Sequence, residues 1–342
     1  MTSPCQRPGP FLPTESSRSS SWLITPLPRL THWRRRYVDA IAALAAAGVA
    51  EIDTSRVYRQ GKAEEWHGEA LRALPAATAA ALTVSSKAHP MLGGLGPAAL
   101  KQQAADTMAQ LGVAQLDIYY LHNVDTATPI DETLKAVDEL HQAGVFRRFG
   151  LSNYPAWQVV QIHSLCQLLG YITPSVYQGL YNAFSRTVEY ELLPALRSLG
   201  MAFFAYSPLA GGLLAGSTSA ARSGYRDGML ADLGVSTPER RAAFEEGMAS
   251  VQAAATAAGL ELKDVALRWF FHHSQMTEGD AIVIGSSRLE QLEEVLGSLA
   301  ADGLAETPLP PSVVVALNNV WQTLEGMPYY PNTPGAPMLL KL

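Results

Sequence analysis

Cysteine is almost absent: the 342 residues contain only Cys5 and Cys166. Two thiols build no disulfide framework and offer no metal-ligand spacing, which suits a reducing compartment. Charge is also scarce, at 16% of residues with a formal net charge of -6. No cationic face for nucleic acid or an anionic membrane is therefore expected. No apolar run approaches the roughly 20 residues that a membrane-spanning helix needs. Several motifs are missing as well. No G-x-G-x-x-G follows the first strand and opens a helix, which weighs against a doubly wound dinucleotide fold. The Gly93-Gly94 pair is a lone turn signal. G-x-S-x-G is absent too, because Gly150-Leu151-Ser152-Asn153 is followed by Tyr154. His272-His273 lies in a helical pattern without a partner ligand, so it is read as structural and no metal site is expected. What remains is a large apolar share, 48% of residues, enough for one large α/β barrel or two ordinary domains.

Residues 1–33 differ in kind from the rest. They are rich in Pro and Ser, and up to residue 21 they carry Arg7 and Arg18 against the single acid Glu15. The expectation is a disordered tail or a misassigned start, with an organelle transit peptide as the alternative. Only Ser21-Trp22-Leu23-Ile24-Thr25 has the makings of a strand here, and a weak one. From residue 34 onward, short apolar runs alternate with helical patterns. Helices are expected near 37–47, 62–74, 97–111, 130–143, 155–169, 188–199, 238–258 and 262–273, and from 289 onward. Strands are expected near 49–53, 81–86, 116–121, 148–151, 175–177, 201–206 and 281–284. The runs are continuously apolar rather than alternating, the mark of parallel strands covered on both faces by helical crossovers. Seven strands leave a (β/α)8 barrel one short, with its first strand atypical or missing.

Three strand ends deliver chemistry. The run Val49 to Asp53 presents Asp53 and then Tyr58 five residues later, the next strand ends at Lys87, and the one after ends at His122. Singly, each has an ordinary role: Asp53 as a helix cap, Tyr58 in packing, Lys87 with its head in solvent, His122 as a bonded structural histidine. In a barrel, however, adjacent strand ends converge on one mouth. There Asp53 can pair with Lys87, and the ammonium can sit against the Tyr58 phenol. A nearby cation lowers a tyrosine pKa from its reference near 10, toward the range of a general acid. His122 can orient a carbonyl. A proton donor without a nucleophile needs a bound cofactor to supply the reducing power.

These residues resemble the catalytic tetrad of the aldo-keto reductases, NADPH-dependent (β/α)8-barrel enzymes. The closer likeness is to the aflatoxin aldehyde reductase branch, which also reduces succinic semialdehyde. It is carried by Gly150-Leu151-Ser152-Asn153-Tyr154, Val176-Tyr177-Gln178-Gly179, Pro208-Leu209-Ala210-Gly211-Gly212-Leu213-Leu214, Leu267-Arg268-Trp269 and Leu289-Glu290-Gln291-Leu292-Glu293. The resemblance implies Tyr58 as proton donor, Lys87 and Asp53 as its tuners, and His122 as the group orienting the substrate carbonyl. It implies Ser152, Asn153 and Gln178 on the nicotinamide carboxamide. The loop with Ser207, Pro208, Leu209, Gly211 and Leu213 would lie over the pyrophosphate, and Arg226 would add a contact. Gly285, Ser287, Arg288, Gln291 and Glu294 would surround the adenosine and its 2′-phosphate. A phosphate near a helix N-terminus after the last strands suits both barrels and helix dipoles. A guanidinium can fork onto a 2′-phosphate, which favours NADPH/NADP+ and singles out Arg288.

The chain also departs from that pattern. The family's Gly-rich first strand has no clear counterpart before residue 37, and an open seam would leave costly strand edges. Residues 217–241 look shorter than in the branch, with Ser217 where a lysine is expected. The tail at 327–331 is placed to reach over the mouth. The expected protein is a cytoplasmic aldehyde reductase with a small-molecule aldehyde as partner, no nucleic acid, no membrane, and a homodimer as its assembly. The alternatives are an NADPH-binding regulatory subunit resembling potassium channel β subunits, and an inactive barrel lacking its first strand.

Overall fold

The computed structural model describes residues 22–25, 33–215, 230, 233–235, 237–286, 288–301 and 303–324. Among the described residues there are eight strands: β1 (Trp22–Thr25), β2 (Glu51–Asp53), β3 (Thr83–Ala88), β4 (Leu116–Leu121), β5 (Phe146–Ser152), β6 (Pro174–Leu180), β7 (Ala202–Tyr206) and β8 (Ala281–Gly285). They form one sheet in the order β1-β8-β7-β6-β5-β4-β3-β2, with every pairing parallel. Helices α1 (Trp33–Ala46), α2 (Lys62–Ala73), α4 (Pro97–Leu111), α5 (Ile130–Gln142), α6 (Ala156–Leu169), α7 (Leu192–Ser198), α9 (Leu262–His272) and α10 (Leu289–Ala300) alternate with them. Three more, α3 (Ala76–Ala81), α8 (Pro238–Ala257) and α11 (Pro311–Leu324), are additions to the repeat. The architecture is the expected (β/α)8 barrel.

Its first strand is the atypical one. β1 has four residues, lies ahead of residue 34, and pairs with β8 from Trp22 opposite Ile282 to Thr25 opposite Gly285. A barrel counted as seven strands therefore gains its eighth from the N-terminal segment that composition set apart. Trp, Leu, Ile and Thr in succession suit a pleated strand. Among the described residues no ladder joins β1 to β2, so the barrel keeps a seam on that side.

The sequence reading needs smaller corrections elsewhere. Ala81 belongs to α3 and β3 begins at Thr83, because an alanine run after Pro75 favours helix over strand. The helix expected over 188–199 is a 3-10 turn at Thr187–Glu189 followed by the short α7. α11 was not anticipated, although it buries Val313, Ala316, Leu317, Val320 and Leu324 at helical spacing. It packs closely on α8 at Gly247, where a Cβ would sit 2.8 Å from a Val320 methyl carbon.

Strand alternation sorts the side chains into two layers. Ile118, Tyr120, Val176, Phe204, Ala281 and Val283 pack together inside the barrel. Tyr119, Leu121, Tyr177 and Phe203 belong to the larger cluster between strands and helices. Gly150 on β5 is required by this interior: a Cβ there would lie 2.2 Å from the Tyr120 ring. Near the N-terminal end of the barrel, Arg148 bridges Asp117 and Glu51, the latter at 3.2 Å.

Candidate active site

Asp53 is the last residue of β2, Lys87 lies near the end of β3, and His122 follows β4 directly. Lys87 sits opposite Tyr120 in the ladder, so it shares the inward face on which Tyr120 lies. Both Asp53 and Lys87 are fully buried. The ammonium donates to Asp53 Oδ2 and, at 2.9 Å, to the Thr54 carbonyl. Gln178 Nε2 on β6 reaches across the barrel to Asp53 Oδ1 at 3.1 Å. With both carboxylate oxygens engaged inside the barrel, Asp53 is no helix cap and Lys87 no solvent-facing lysine. Burial pushes the Asp53 carboxyl up and the Lys87 ammonium down, and their ion pairing opposes both shifts.

Tyr58 arrives from the loop after β2. The Lys87 ammonium lies 5.1 Å from its ring centroid and 5.6 Å from that of Tyr120. The His122 ring meets Tyr58 edge-on, with centroids 5.6 Å apart. The expected quartet is thus gathered at one mouth. The loop is braced from behind by Arg56, which reaches Glu64 at 3.4 Å and Asp106 at 2.9 Å. Glu64 is itself buried and accepts from Ser86 and Thr107. Directly after Tyr58, Arg59, Gln60 and Gly61 adopt φ of 56°, 57° and 87°. Two non-glycine residues held left-handed mark local strain of the kind that clusters at functional sites.

His122 Nδ1 is bonded to Ser55 Oγ at 2.9 Å. A hydroxyl proton given to Nδ1 leaves the imidazole proton on Nε2. Burial first, then the charge of Lys87 and the proximity of His89, hold His122 well below the usual histidine range. It is therefore a neutral donor at pH 7. Ser55, Thr54 and Arg56 were missed in the sequence, since each acts through a partner on another element.

The expected cofactor residues line the ends of β5 to β8. Ser152 ends β5 opposite Gln178. Asn153 follows with φ 61° and donates to the His122 carbonyl at 3.0 Å and to Ser152 Oγ at 3.1 Å. Tyr206 donates to Asn153 Oδ1 at 3.0 Å. Beyond β7, Ser207, Pro208, Leu209, Gly211 and Leu213 form a tight turn in which Ser207 and Ala210 take φ of 58° and 48°. Asn182 Nδ2 holds the Ser207 carbonyl at 3.1 Å. Gly285, the last residue of β8, and Arg288 beyond it are exposed, and Arg288 is the N-cap residue of α10. Gln291 and Glu294 follow at three-residue spacing, on the same side of that helix. Arg226, Ser287 and the 327–331 tail lie outside the described residues.

Among the described residues no group of three potential ligands forms a metal site, and no helix is long and apolar enough to cross a membrane. Residues 34–307 match the family model described as Aldo/keto reductase family. The chain is 39% identical over 305 residues to aldo-keto reductase family 7 member A3 of Homo sapiens, covering 84% of this chain and 90% of that protein. It is 39% identical over 311 residues to aflatoxin B1 aldehyde reductase member 2 of Rattus norvegicus, covering 85% and 82%. It is 35% identical over 308 residues to oxidoreductase sirO of Leptosphaeria maculans, covering 86% and 88%. With a matched barrel and a buried Asp–Lys pair under a tyrosine and a histidine, this chain belongs to the aldo/keto reductase family and is an oxidoreductase.

Proposed function

We propose that the protein is an NADPH-dependent aldehyde reductase in which Tyr58 delivers the proton. One observation carries the reading: a desolvated ammonium, anchored by Asp53 and Thr54, 5.1 Å from the Tyr58 ring beside a neutral His122. As the Tyr58 proton leaves, charge develops on the phenol oxygen, and the fixed Lys87 cation stabilises it in a site where water does not screen the field. The neutral His122 holds the substrate oxygen by donating to it from Nε2, with the Ser55 hydroxyl donating to Nδ1 in that tautomer. Asp53 keeps the ammonium in place, and Gln178 keeps Asp53 in place.

The donors at the ends of β5 to β8 fit a phosphorylated dinucleotide. Side-chain amides and hydroxyls at Ser152, Asn153 and Gln178 suit a carboxamide, and the turn at 207–213 suits a pyrophosphate. The exposed Arg288 at a helix N-terminus suits the 2′-phosphate of NADPH. When bound, the nicotinamide supplies the hydride. The substrates on this reading are aldehydes, including dialdehydes and succinic semialdehyde-like compounds, in keeping with the relative named an aflatoxin B1 aldehyde reductase. The cysteine-poor composition supports work in the cytoplasm.

The test is NADPH consumption with succinic semialdehyde by the wild type and by Tyr58→Phe. A positioned general acid is worth about 100- to 10,000-fold. Turnover should fall by at least about 100-fold, while NADPH binding, followed by fluorescence, stays unchanged. Equal turnover in the two proteins would overturn the assignment.

A further inference from the structure

The residues of β3 that face into the barrel continue past the strand. Ser85 bonds inward to Glu51, and Lys87 is the next inward residue. Ala88 pairs with Leu121 in the ladder, and both belong to the outer packing layer. One residue further, His89 and His122 stand side by side, one pleat above Lys87 and Tyr120. Their rings meet edge-on with centroids 4.9 Å apart. His89 is half-buried at the mouth, next to the group that orients the substrate.

Its ring is fixed in one tautomer. The Met91 N–H donates to His89 Nδ1 at 3.1 Å, so the neutral ring carries its proton on Nε2. Its backbone is fixed as well. The His89 N–H donates to Gln103 Oε1 at 2.9 Å, and Gln103 Nε2 ties the Gly94 carbonyl at 3.0 Å. Asp125 takes the Leu95 N–H at 2.7 Å. A loop braced at both ends thus holds a donor whose second nitrogen has no protein hydrogen bond among the described residues. Burial lowers the His89 pKa, which keeps the ring neutral beside a neutral His122. A turn-forming role would use Nδ1 alone and leave the Nε2 proton idle at the mouth.

We propose that His89 determines substrate specificity, its Nε2–H donating to a second oxygen, a carboxylate or a further carbonyl, that the aldehyde carries beyond its reacting carbon. The inference rests on the reductase reading of the same mouth. Two donors side by side hold a short bifunctional aldehyde at both ends, whereas a simple alkyl aldehyde uses His122 alone.

The experiment compares two aldehydes of equal chain length, one ending in a carboxylate and one in a methyl group, with NADPH. The readout is the ratio of their kcat/KM values in the wild type, His89→Phe and His89→Gln. Phe keeps an aromatic edge on His122 and deletes the donor, and Gln keeps a donor. A hydrogen bond to a charged group is worth roughly tenfold or more. The ratio should fall at least tenfold in His89→Phe and recover in part in His89→Gln, with the alkyl aldehyde little affected and NADPH binding unchanged. Should His89→Phe fail to fold, a graded fall in His89→Gln alone supports the role and an unchanged ratio there overturns it. Turnover of both aldehydes with the same ratio in all three proteins overturns the role of His89 and leaves the reductase reading standing. No turnover of either aldehyde by the wild type overturns both.

Discussion

The buried pair under Tyr58 offers a quantitative test through a double-mutant cycle of Lys87→Met and Asp53→Asn. Both side chains are fully buried, so removing one leaves the other without its counter-charge in a low-dielectric interior. Breaking a buried pair from one side costs about 3–5 kcal/mol, whereas an exposed pair is worth about 0–1 kcal/mol. The single variants should therefore each lose about 3–5 kcal/mol. The double variant removes both charges and should cost well below the sum of the two. In urea, with a slope near 3 kcal/mol/M for a chain of this size, each single variant shifts the midpoint by at least about 1 M. The Lys87→Met loss also depends on pH in a fixed direction. Burial already holds the Asp53 carboxyl above its unfolded value, with the Lys87 charge opposing the shift. Without Lys87 the folded value rises further. Asp53 is protonated in both states below its unfolded pKa near 3.9, so the penalty vanishes there and grows as pH rises through the folded value. The variant should lie closest to wild type in acid and furthest from it at neutral and alkaline pH. Additive losses within about 0.5 kcal/mol, or single losses below 1 kcal/mol, would refute the reasoning.

Two further predictions concern the barrel itself. Burial, reinforced by Asp117 and Asp53 and opposed by Arg148, pushes Glu51 from 4.5 to about 8. Stability from this group is present below about pH 4.5 and lost as pH rises toward 8, by up to about 5 kcal/mol at one pKa unit per 1.36 kcal/mol. Glu51→Gln should flatten the fall in stability between those limits, and parallel curves for the two proteins would count against it. Gly150→Ala would force a Cβ to within 2.2 Å of the Tyr120 ring. Overpacking of this kind costs about 1–3 kcal/mol. Because Tyr120 lies under the Lys87 ammonium, turnover should fall along with the melting temperature. An unchanged melting temperature would show that the ring can move aside.

The sequence by itself determined the repeat and the polar residues that its early strand ends present. Apolar runs of strand length between helical patterns specify a covered parallel sheet, because local periodicity reports which faces are buried. Asp53, Lys87 and His122 were legible since strand ends in such a sheet converge, and Tyr58 because it follows Asp53 at a fixed spacing. What the sequence left open was settled by contacts between distant residues. Four residues at 22–25 carry too little periodicity to identify a strand, and only the β8 edge makes them one. Asp53 as a cap and Asp53 as a counter-ion look alike until Gln178 and Lys87 close on it from β6 and β3. Ser55 is one loop serine among others until the end of β4 sets His122 against it. His89 is a residue after a lysine until the ladder places it beside His122. Which side chains point inward follows from the two-residue period of each strand. Which of them meet is decided by how the eight strands align, and that alignment is a property of the assembled barrel alone.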